Sequence, residues 1–463
     1  MYSTMEHIKD MDTSNMSNVQ IESIVNQKVS PVTKYIFVAL TAICILLFRI
    51  FGTPGLIVYG LLIFGGIAVL ACSQKKTPFY VCAAFWIAVL YYAYYIIAIL
   101  TNGSFTTIGP PVMQFFLLTL AGFTLRSNKE IQGNITAIAK VFTIAGITMG
   151  LLSFGASAVT FFLPAFVDQL PLWLHDLMHL VKGNFPVRMT GFARNAALTA
   201  EYVYMSTCLS IFLLLQQPTR KWVLFCVANI IISTFTVFIL TATRTSMLAL
   251  ITFIGVGYVS YLLHLFHNKD DNKFRLHLTI AISVVMIGIL LFCVVMIFPQ
   301  SREFFIKRVL RIDSLATGSG RLGVYVEAFH AGKGHRLFGI SIDTLIQSTT
   351  LHVPHAHNNF LESLTIGGIP SLVFYTAFVI VSLVTAFRLV WRTRKLPFQE
   401  SILPIFILCI LASQLVYGMT ECNIDRIGMS SSFYSLAIAL VHIISHNHPK
   451  EKTKNLVRDY MNE

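Results

Sequence analysis

Long, uninterrupted apolar runs are the feature that most constrains how this chain can fold. The apolar residues come in runs of 16 to 24, without the spacing of an amphipathic surface helix. A helix needs about 20 apolar residues to cross a bilayer, where its own backbone hydrogen bonds replace those to water. The chain is 55% hydrophobic and only 12% charged. The sequence therefore predicts an all-α polytopic membrane protein.

The length and number of the runs predict about twelve transmembrane helices. A large outer loop, partly helical, separates the ninth from the tenth. We expect the spans at residues 35–50, 55–72, 79–100, 110–125, 137–160, 196–215, 221–240, 245–266, 276–298, 368–390, 401–420 and 428–446.

The distribution of basic residues predicts the orientation of these helices. Short cytoplasmic loops carry an excess of Lys and Arg, and the loops on one side of the predicted bundle follow this pattern. The short loops on the other side, at 51–54, 101–109 and 421–427, hold one basic residue among them, Arg426. Both termini are therefore expected in the cytoplasm, and the long loops at 161–195 and 299–367 on the outer side.

This topology divides the chain into five segments. We expect a cytoplasmic tail at 1–33, helices one to nine at 34–298, a large periplasmic catalytic loop at 299–367, helices ten to twelve at 368–446, and a cytoplasmic tail at 447–463. The net charge of +13 would suggest nucleic acid in a soluble protein. Because the basic residues cluster at the ends of spans, they indicate topology and contact with membrane lipid instead, and no nucleic acid is expected.

The two long outer loops carry their own helical patterns. Residues 170–180 have an amphipathic pattern that suits the membrane interface. In the second loop, residues 301–309 and 322–331 are expected to form short helices on either side of a flexible Gly-Ser-Gly stretch. Both loops are basic, so together they would attract an anion.

Arginines at the predicted outer surface form the first candidate site. Arg188 and Arg194 lie where the first long loop enters span six, and Arg244 lies in the short turn Thr-Ala-Thr-Arg between spans seven and eight. Arginine binds pyrophosphate with bidentate hydrogen bonds and can stabilise it as a leaving group without a metal. The alternative is that these arginines only mark the membrane boundary or reach up to its surface.

A histidine run closes the second outer loop. His352, His355 and His357 have a His-x-x-His-x-His spacing that could bind zinc. A single histidine at the outer surface could instead remove a proton from a sugar hydroxyl. We favour His357 as this base, with no metal and no cofactor, and a purely structural role remains the alternative. Glu362, about one helical turn further on, could orient a neighbour or favour the helix start electrostatically.

Four motifs, in this order, resemble the O-antigen ligase and O-antigen polymerase superfamily. They are Arg-x-x-Gly-Phe at Arg188, Thr-x-Thr-Arg ending at Arg244, Ser-Gly-Arg ending at Arg321, and His-x-His-Asn-x-x-Leu-Glu from His355 to Glu362, which Gly-Gly-Ile-Pro follows. The similarity covers about residues 180–375. One departure is visible, because Ser371 stands where the ligase pattern has a glycine.

The resemblance implies a GT-C-type membrane glycosyltransferase at the outer face of the bacterial inner membrane. Its donor would be a glycan on undecaprenyl pyrophosphate, and its acceptor the lipid A core or a growing glycan. Residue by residue, His357 matches the proposed general base, Arg188 and Arg244 the pyrophosphate-binding arginines, and Arg321 a further loop arginine. We also expect substrate contacts from Arg194, His355, Asn358 and Glu362.

Several functions remain open at the level of sequence. An inverting, metal-independent O-antigen ligase of lipopolysaccharide biosynthesis leads. A repeat-unit polymerase of O-antigen or capsule, acting on the same carrier, is the first alternative, and an oligosaccharyltransferase that modifies protein is another. A polysaccharide transporter or flippase is disfavoured, since Glu201 is the one acidic residue within a predicted span and no repeated halves are visible.

Overall fold

The structure is a computed structural model. It describes residues 83–103, 128–163, 196–216, 218–241, 243–268, 272–279, 321–350 and 355–421, together with single positions elsewhere in the chain. Within these residues all regular structure is helical and no strand occurs. This confirms the all-α prediction for the described part.

Nine α-helices are considered below, numbered in chain order. Their bounds are Ala83–Thr101 (α1), Asn128–Phe162 (α2), Ala196–Leu215 (α3), Arg220–Phe235 (α4), Arg244–His267 (α5), Arg321–Gly332 (α6), Ile342–Ser348 (α7), Asn359–Thr393 (α8) and Phe398–Gly418 (α9).

Six helices in the described residues are long and apolar enough to cross a membrane. They lie within α1, α2, α4, α5, α8 and α9, and α3 adds a shorter apolar helix. The observed bounds of these helices fall close to seven of the twelve predicted spans. The predicted first, second and twelfth spans, both terminal tails and the predicted helices at 170–180 and 301–309 lie almost entirely outside the described residues.

Buried hydroxyl and amide groups join α2, α3 and α4. Asn229 on α4 donates to Ser210 Oγ at 2.8 Å, and Ser210 pairs with Thr143 of α2 at 2.8 Å. Gly146 faces this network, since a Cβ there would lie 2.2 Å from Ser206 Oγ. Hydrocarbon offers no other hydrogen-bond partners, so these groups hold the three helices together.

A kink at Gly368 separates α8 into a short first part and a long, apolar second part. Gly368 has φ of 72°, and a Cβ at this position would lie 2.2 Å from the carbonyl oxygen of Leu337. The Ile369 amide donates to Arg336 O at 2.7 Å, and Ile340 donates to Thr365 O at 2.8 Å. The segment before α7 therefore packs across the kink.

The same segment is attached to α1. Tyr94 Oη donates to Leu337 O at 2.5 Å, and Asn102 Nδ2 donates to Phe338 O at 2.6 Å. Gly339 and Gly368 let this segment approach the backbone of α8 closely, since a Cβ at either position would lie within 2.5 Å of a backbone atom. The contacts with α1 fix the position of the segment relative to the bundle.

Helices α5 and α9 form an antiparallel pair that spans the bundle. At one end, Thr420 donates to Thr245 Oγ1 at 3.0 Å. At the other end, the ring of Phe398 lies 5.2 Å from that of Tyr261, centroid to centroid. The start of α5 thus meets the end of α9, where the histidine loop also lies.

Candidate active site

His357 lies in a tight turn immediately before α8. Its backbone is in the left-handed region, with φ of 53°, which is uncommon for a residue other than glycine. Tyr325 of α6 donates a hydrogen bond to the His357 carbonyl at 3.0 Å. The next residue, Asn358, accepts from the amides of Phe360 and Leu361 and so caps α8. These contacts fix the direction of the His357 side chain.

The imidazole of His357 faces the carboxylate of Glu421, which follows the end of α9. Nδ1 of His357 lies 3.2 Å from Oε2 of Glu421, and the two side chains are 21% and 4% exposed. A carboxylate accepts only, so Nδ1 carries the proton and donates in this contact. The neutral ring then keeps its acceptor lone pair on Nε2. Asn358 strengthens the junction by donating to Met419 O at 3.0 Å.

A second histidine–glutamate pair lies two residues earlier in the loop. Glu362 is completely buried, and its Oε2 accepts from the Ala356 amide at 2.6 Å. Its Oε1 lies 3.6 Å from His355 Nδ1, and the His355 side chain is 16% exposed. Glu362 therefore binds the loop backbone from the first turn of α8. Its place in the first turn of α8 and beside His355 is compatible with both roles that the sequence left open.

The three histidines of the predicted zinc spacing contact three different partners. His352 Nδ1 lies 3.1 Å from the carbonyl oxygen of Ile346, whereas His355 and His357 face separate carboxylates. Among the described residues, no three His, Cys, Asp or Glu side chains converge in an arrangement that could hold a metal ion. The His-x-x-His-x-His spacing thus does not bring its members to one point.

A further carboxylate fixes the beginning of the histidine loop. Glu327 of α6 accepts from the amide and the hydroxyl of Thr350. These hydrogen bonds lower the pKa of the Glu327 carboxyl, so it stays ionised at neutral pH. Together with Tyr325, Glu327 makes α6 a support for both ends of the loop.

Helix α5 begins at Arg244, after a sharp turn. The end of α4 continues into a π-helical turn at Thr236–Leu240, which the Thr241 amide closes on Thr236 O at 2.9 Å. The Thr243 side chain does not cap α5; its hydroxyl contacts Ala196 O at 3.5 Å. The first amides of α5 and the Arg244 guanidinium are therefore positive groups on one short segment.

Residues at the end of α9 bring His357 and Arg244 into one region. Thr420 contacts Thr245, which follows Arg244, and Glu421, which follows Thr420, contacts His357. The buried hydroxyl of Ser246, in the same first turn, has no hydrogen-bond partner within the described residues. The chain segments that carry a candidate base and a candidate anion-binding arginine thus meet at one end of the α5–α9 pair.

The other predicted arginines are described less completely. Arg321 begins α6, the helix that contacts the histidine loop. Arg188 and Arg194 lie outside the described residues, and the first described residue after them, Ala196, begins α3 beside Thr243.

Glu421 is the site residue that sequence reasoning missed. In the sequence, the charges of the 421–427 loop indicate only topology. The available signal was a carboxylate at the start of a short outer loop, in a protein whose predicted spans are almost free of acidic residues. Only packing of α9 against the histidine loop makes that carboxylate a partner of His357.

Comparison with known families agrees with this arrangement. Residues 228–376 match the family model Wzy_C, described as O-antigen ligase, which includes the Arg244 turn, Arg321 and the whole histidine loop. A comparison with curated proteins finds no match. The family match over residues 228–376 confirms the resemblance to the O-antigen ligase superfamily that is seen in the motifs.

Proposed function

We propose that the chain is a membrane glycosyltransferase that moves a glycan from undecaprenyl pyrophosphate to the lipid A core. The family match supports the O-antigen ligase- or polymerase-like class. The observation that carries the proposal is the contact between His357 and the buried carboxylate of Glu421. This contact lies beside the turn from which Arg244 begins α5.

In the proposed reaction His357 is the general base. Its Nδ1 proton faces Glu421, so Nε2 is free to accept the proton of the acceptor hydroxyl. The nearby carboxylate stabilises the imidazolium that results. Glu421 is a positioning residue in this reaction, because it acts through His357.

Arg244 and Arg188 bind the pyrophosphate of the donor. Their charges are fixed at all physiological pH values, and the uncapped start of α5 adds amide donors. As the bond from the anomeric carbon to the pyrophosphate oxygen breaks, its electron pair leaves with the pyrophosphate. The arginines stabilise that charge, and no metal is required for this step.

The bond changes balance in a single displacement. The acceptor oxygen forms the new glycosidic bond, its proton passes to His357 Nε2, and undecaprenyl pyrophosphate departs. Attack opposite the leaving group inverts the anomeric configuration. Arg194, Arg321, His355, Asn358 and Glu362 are proposed to help position the glycans, in addition to the loop contacts described above.

The proposed location is the outer face of the bacterial inner membrane. The topology predicted from the sequence, with twelve helices and both termini in the cytoplasm, supports this location, because the 299–367 loop would then lie in the periplasm and lipid-linked glycan would enter from the bilayer. A repeat-unit polymerase of O-antigen or capsule remains the second candidate. The reason for keeping it is that Ser371 departs from the glycine of the ligase pattern.

Complementation of a deletion strain tests the site. His357→Ala, Arg188→Ala and Arg244→Ala, each introduced singly, are expected to fail to restore the surface polysaccharide while the proteins accumulate in the membrane. His330→Ala is the matched control, because His330 is an exposed histidine of α6. Full restoration by all three variants would refute the assignment.

The glycolipids of the deletion strain separate the two candidate reactions. Loss of a ligase leaves bare lipid A core with polymer stranded on the carrier, whereas loss of a polymerase leaves core that carries a single repeat unit. We expect the first pattern. An unchanged pattern would refute both transfer reactions. Proton- or sodium-dependent movement of glycan by the purified protein, with His357→Ala unaffected, would instead favour the transporter alternative.

A further inference from the structure

A large cavity lies at the end of the α5–α9 pair opposite the candidate active site. Its volume is about 700 Å³, and its walls come from α3, the second half of α5, the first half of α9 and the helical residues 272–279. Arg244 and Glu421 belong to the other end of the same helices. The cavity therefore cannot be part of the glycan-transfer site.

The body of the cavity is hydrocarbon. Phe212, Phe253 and Phe406 line it, together with Ile402 and Cys409. The helices that supply these residues include two candidate membrane spans. An apolar cavity does not hold water, so within a bilayer its natural occupant is a lipid chain. Its volume also falls in the range of ordinary small-molecule sites.

One end of the cavity is polar and basic. Tyr258 donates to His277 O at 2.5 Å, and Tyr261 lies 3.4 Å from His277 Nε2. Lys273, an exposed residue, lines the same end. Among the described residues that line the cavity, none is acidic. Tyrosine, histidine and lysine at the end of an apolar chamber match the interface between acyl chains and headgroups.

We infer that this cavity binds one anionic phospholipid. An acyl chain lies between Phe253 and Phe406, and the phosphate lies beside Lys273 and His277. The predicted topology assigns the headgroup to the cytoplasmic leaflet. The inference does not depend on the proposed glycosyl transfer, because it rests on a separate cavity at the other end of the bundle.

Native mass spectrometry of the full-length protein in detergent tests the inference. The delipidated protein is titrated with phosphatidylglycerol or with phosphatidylcholine of the same acyl chains. We expect one retained phosphatidylglycerol per chain, bound about fivefold more tightly than phosphatidylcholine, which corresponds to the attraction of one basic residue to an anionic headgroup. Equal retention of both lipids, or retention of neither, would overturn the inference.

Two matched pairs of variants locate the bound lipid. Ile254 lines the cavity and Ile251 does not, although both are half-exposed residues of α5. Ile254→Trp should therefore abolish the retained lipid, and Ile251→Trp should leave it. Likewise, Lys273→Gln should remove the preference for phosphatidylglycerol, whereas Arg275→Gln, on the same helical segment, should preserve it. Retention by Ile254→Trp equal to that of the wild type would place the lipid elsewhere and refute the site.

Discussion

The two histidine–glutamate pairs of the outer loop differ in burial and in what else the carboxylate contacts. Glu362 is fully buried and bonds a backbone amide, so the shorter of its contacts is to the loop itself. Glu421 follows the end of α9 and contacts an imidazole that is one-fifth exposed. The first pair fixes the loop, and in the proposed reaction the second orients the base. Residue type and spacing alone would not distinguish them.

The largest expected effect is that of Glu362→Ala. The change leaves the buried Ala356 amide without its acceptor and removes the carboxylate beside His355. Loss of such a buried, charged hydrogen bond costs about 3 kcal/mol or more. We expect a lower yield of folded protein and a lower melting temperature in detergent, with activity lost in parallel. A variant that melted like the wild type would show that Glu362 does not anchor the loop.

Glu421→Gln should reduce activity without unfolding the protein. The amide preserves size but no longer stabilises the imidazolium of His357, so the rate of glycan transfer should fall roughly ten- to a hundredfold. Transfer from lipid-linked donor by the purified protein measures the effect. Glu400→Gln is the control, because Glu400 is an exposed glutamate in the first turn of α9. Equal rates for the two variants would remove Glu421 from the mechanism.

His355→Ala should have a smaller effect than His357→Ala. The Ala356 amide still bonds Glu362 in this variant, so we expect a loss of about 1 to 2 kcal/mol in stability and less than a tenfold loss of activity. Paired measurements of melting temperature and transfer rate on the two histidine variants test the ranking. If His355→Ala were the less active of the two variants, His355 would replace His357 as the candidate base.

The smallest expected effect is that of Thr245→Val. It removes the hydrogen bond to Thr420 at the junction of α5 and α9, worth about 1 kcal/mol. We expect a small shift in melting temperature and a loss of transfer rate of a few-fold, since Glu421 follows Thr420. Thr252→Val is a suitable control, because Thr252 bonds only within its own helix, to Leu248 O. A loss of rate equal in both variants would exclude a specific role for the junction.

Much of the helical framework can be predicted from the sequence, because a chain that crosses hydrocarbon as single segments must satisfy its backbone hydrogen bonds within helices. The bounds expected for spans six, seven and eight are 196–215, 221–240 and 245–266. They agree to within two residues with α3, with α4 extended by the π-helical turn Thr236–Leu240, and with α5. The helix expected at 322–331 is present as α6. The helix start expected near Asn358 is present as the beginning of α8 at Asn359. By contrast, the sequence does not predict α7, because a short polar helix carries no long apolar run.

The sequence by itself determined that the chain crosses membranes as helices, which family it resembles, and which histidines and arginines were candidates. The length of an apolar run and the chemistry of each residue type are local properties, so they can be inferred directly from the linear sequence. Only the tertiary structure decided that Glu421 meets His357, that Thr420 meets the start of the Arg244 helix, and that Glu362 binds its own loop. Those contacts depend on how helices distant in the chain pack and where Gly368 turns the backbone, which spacing along the sequence does not specify.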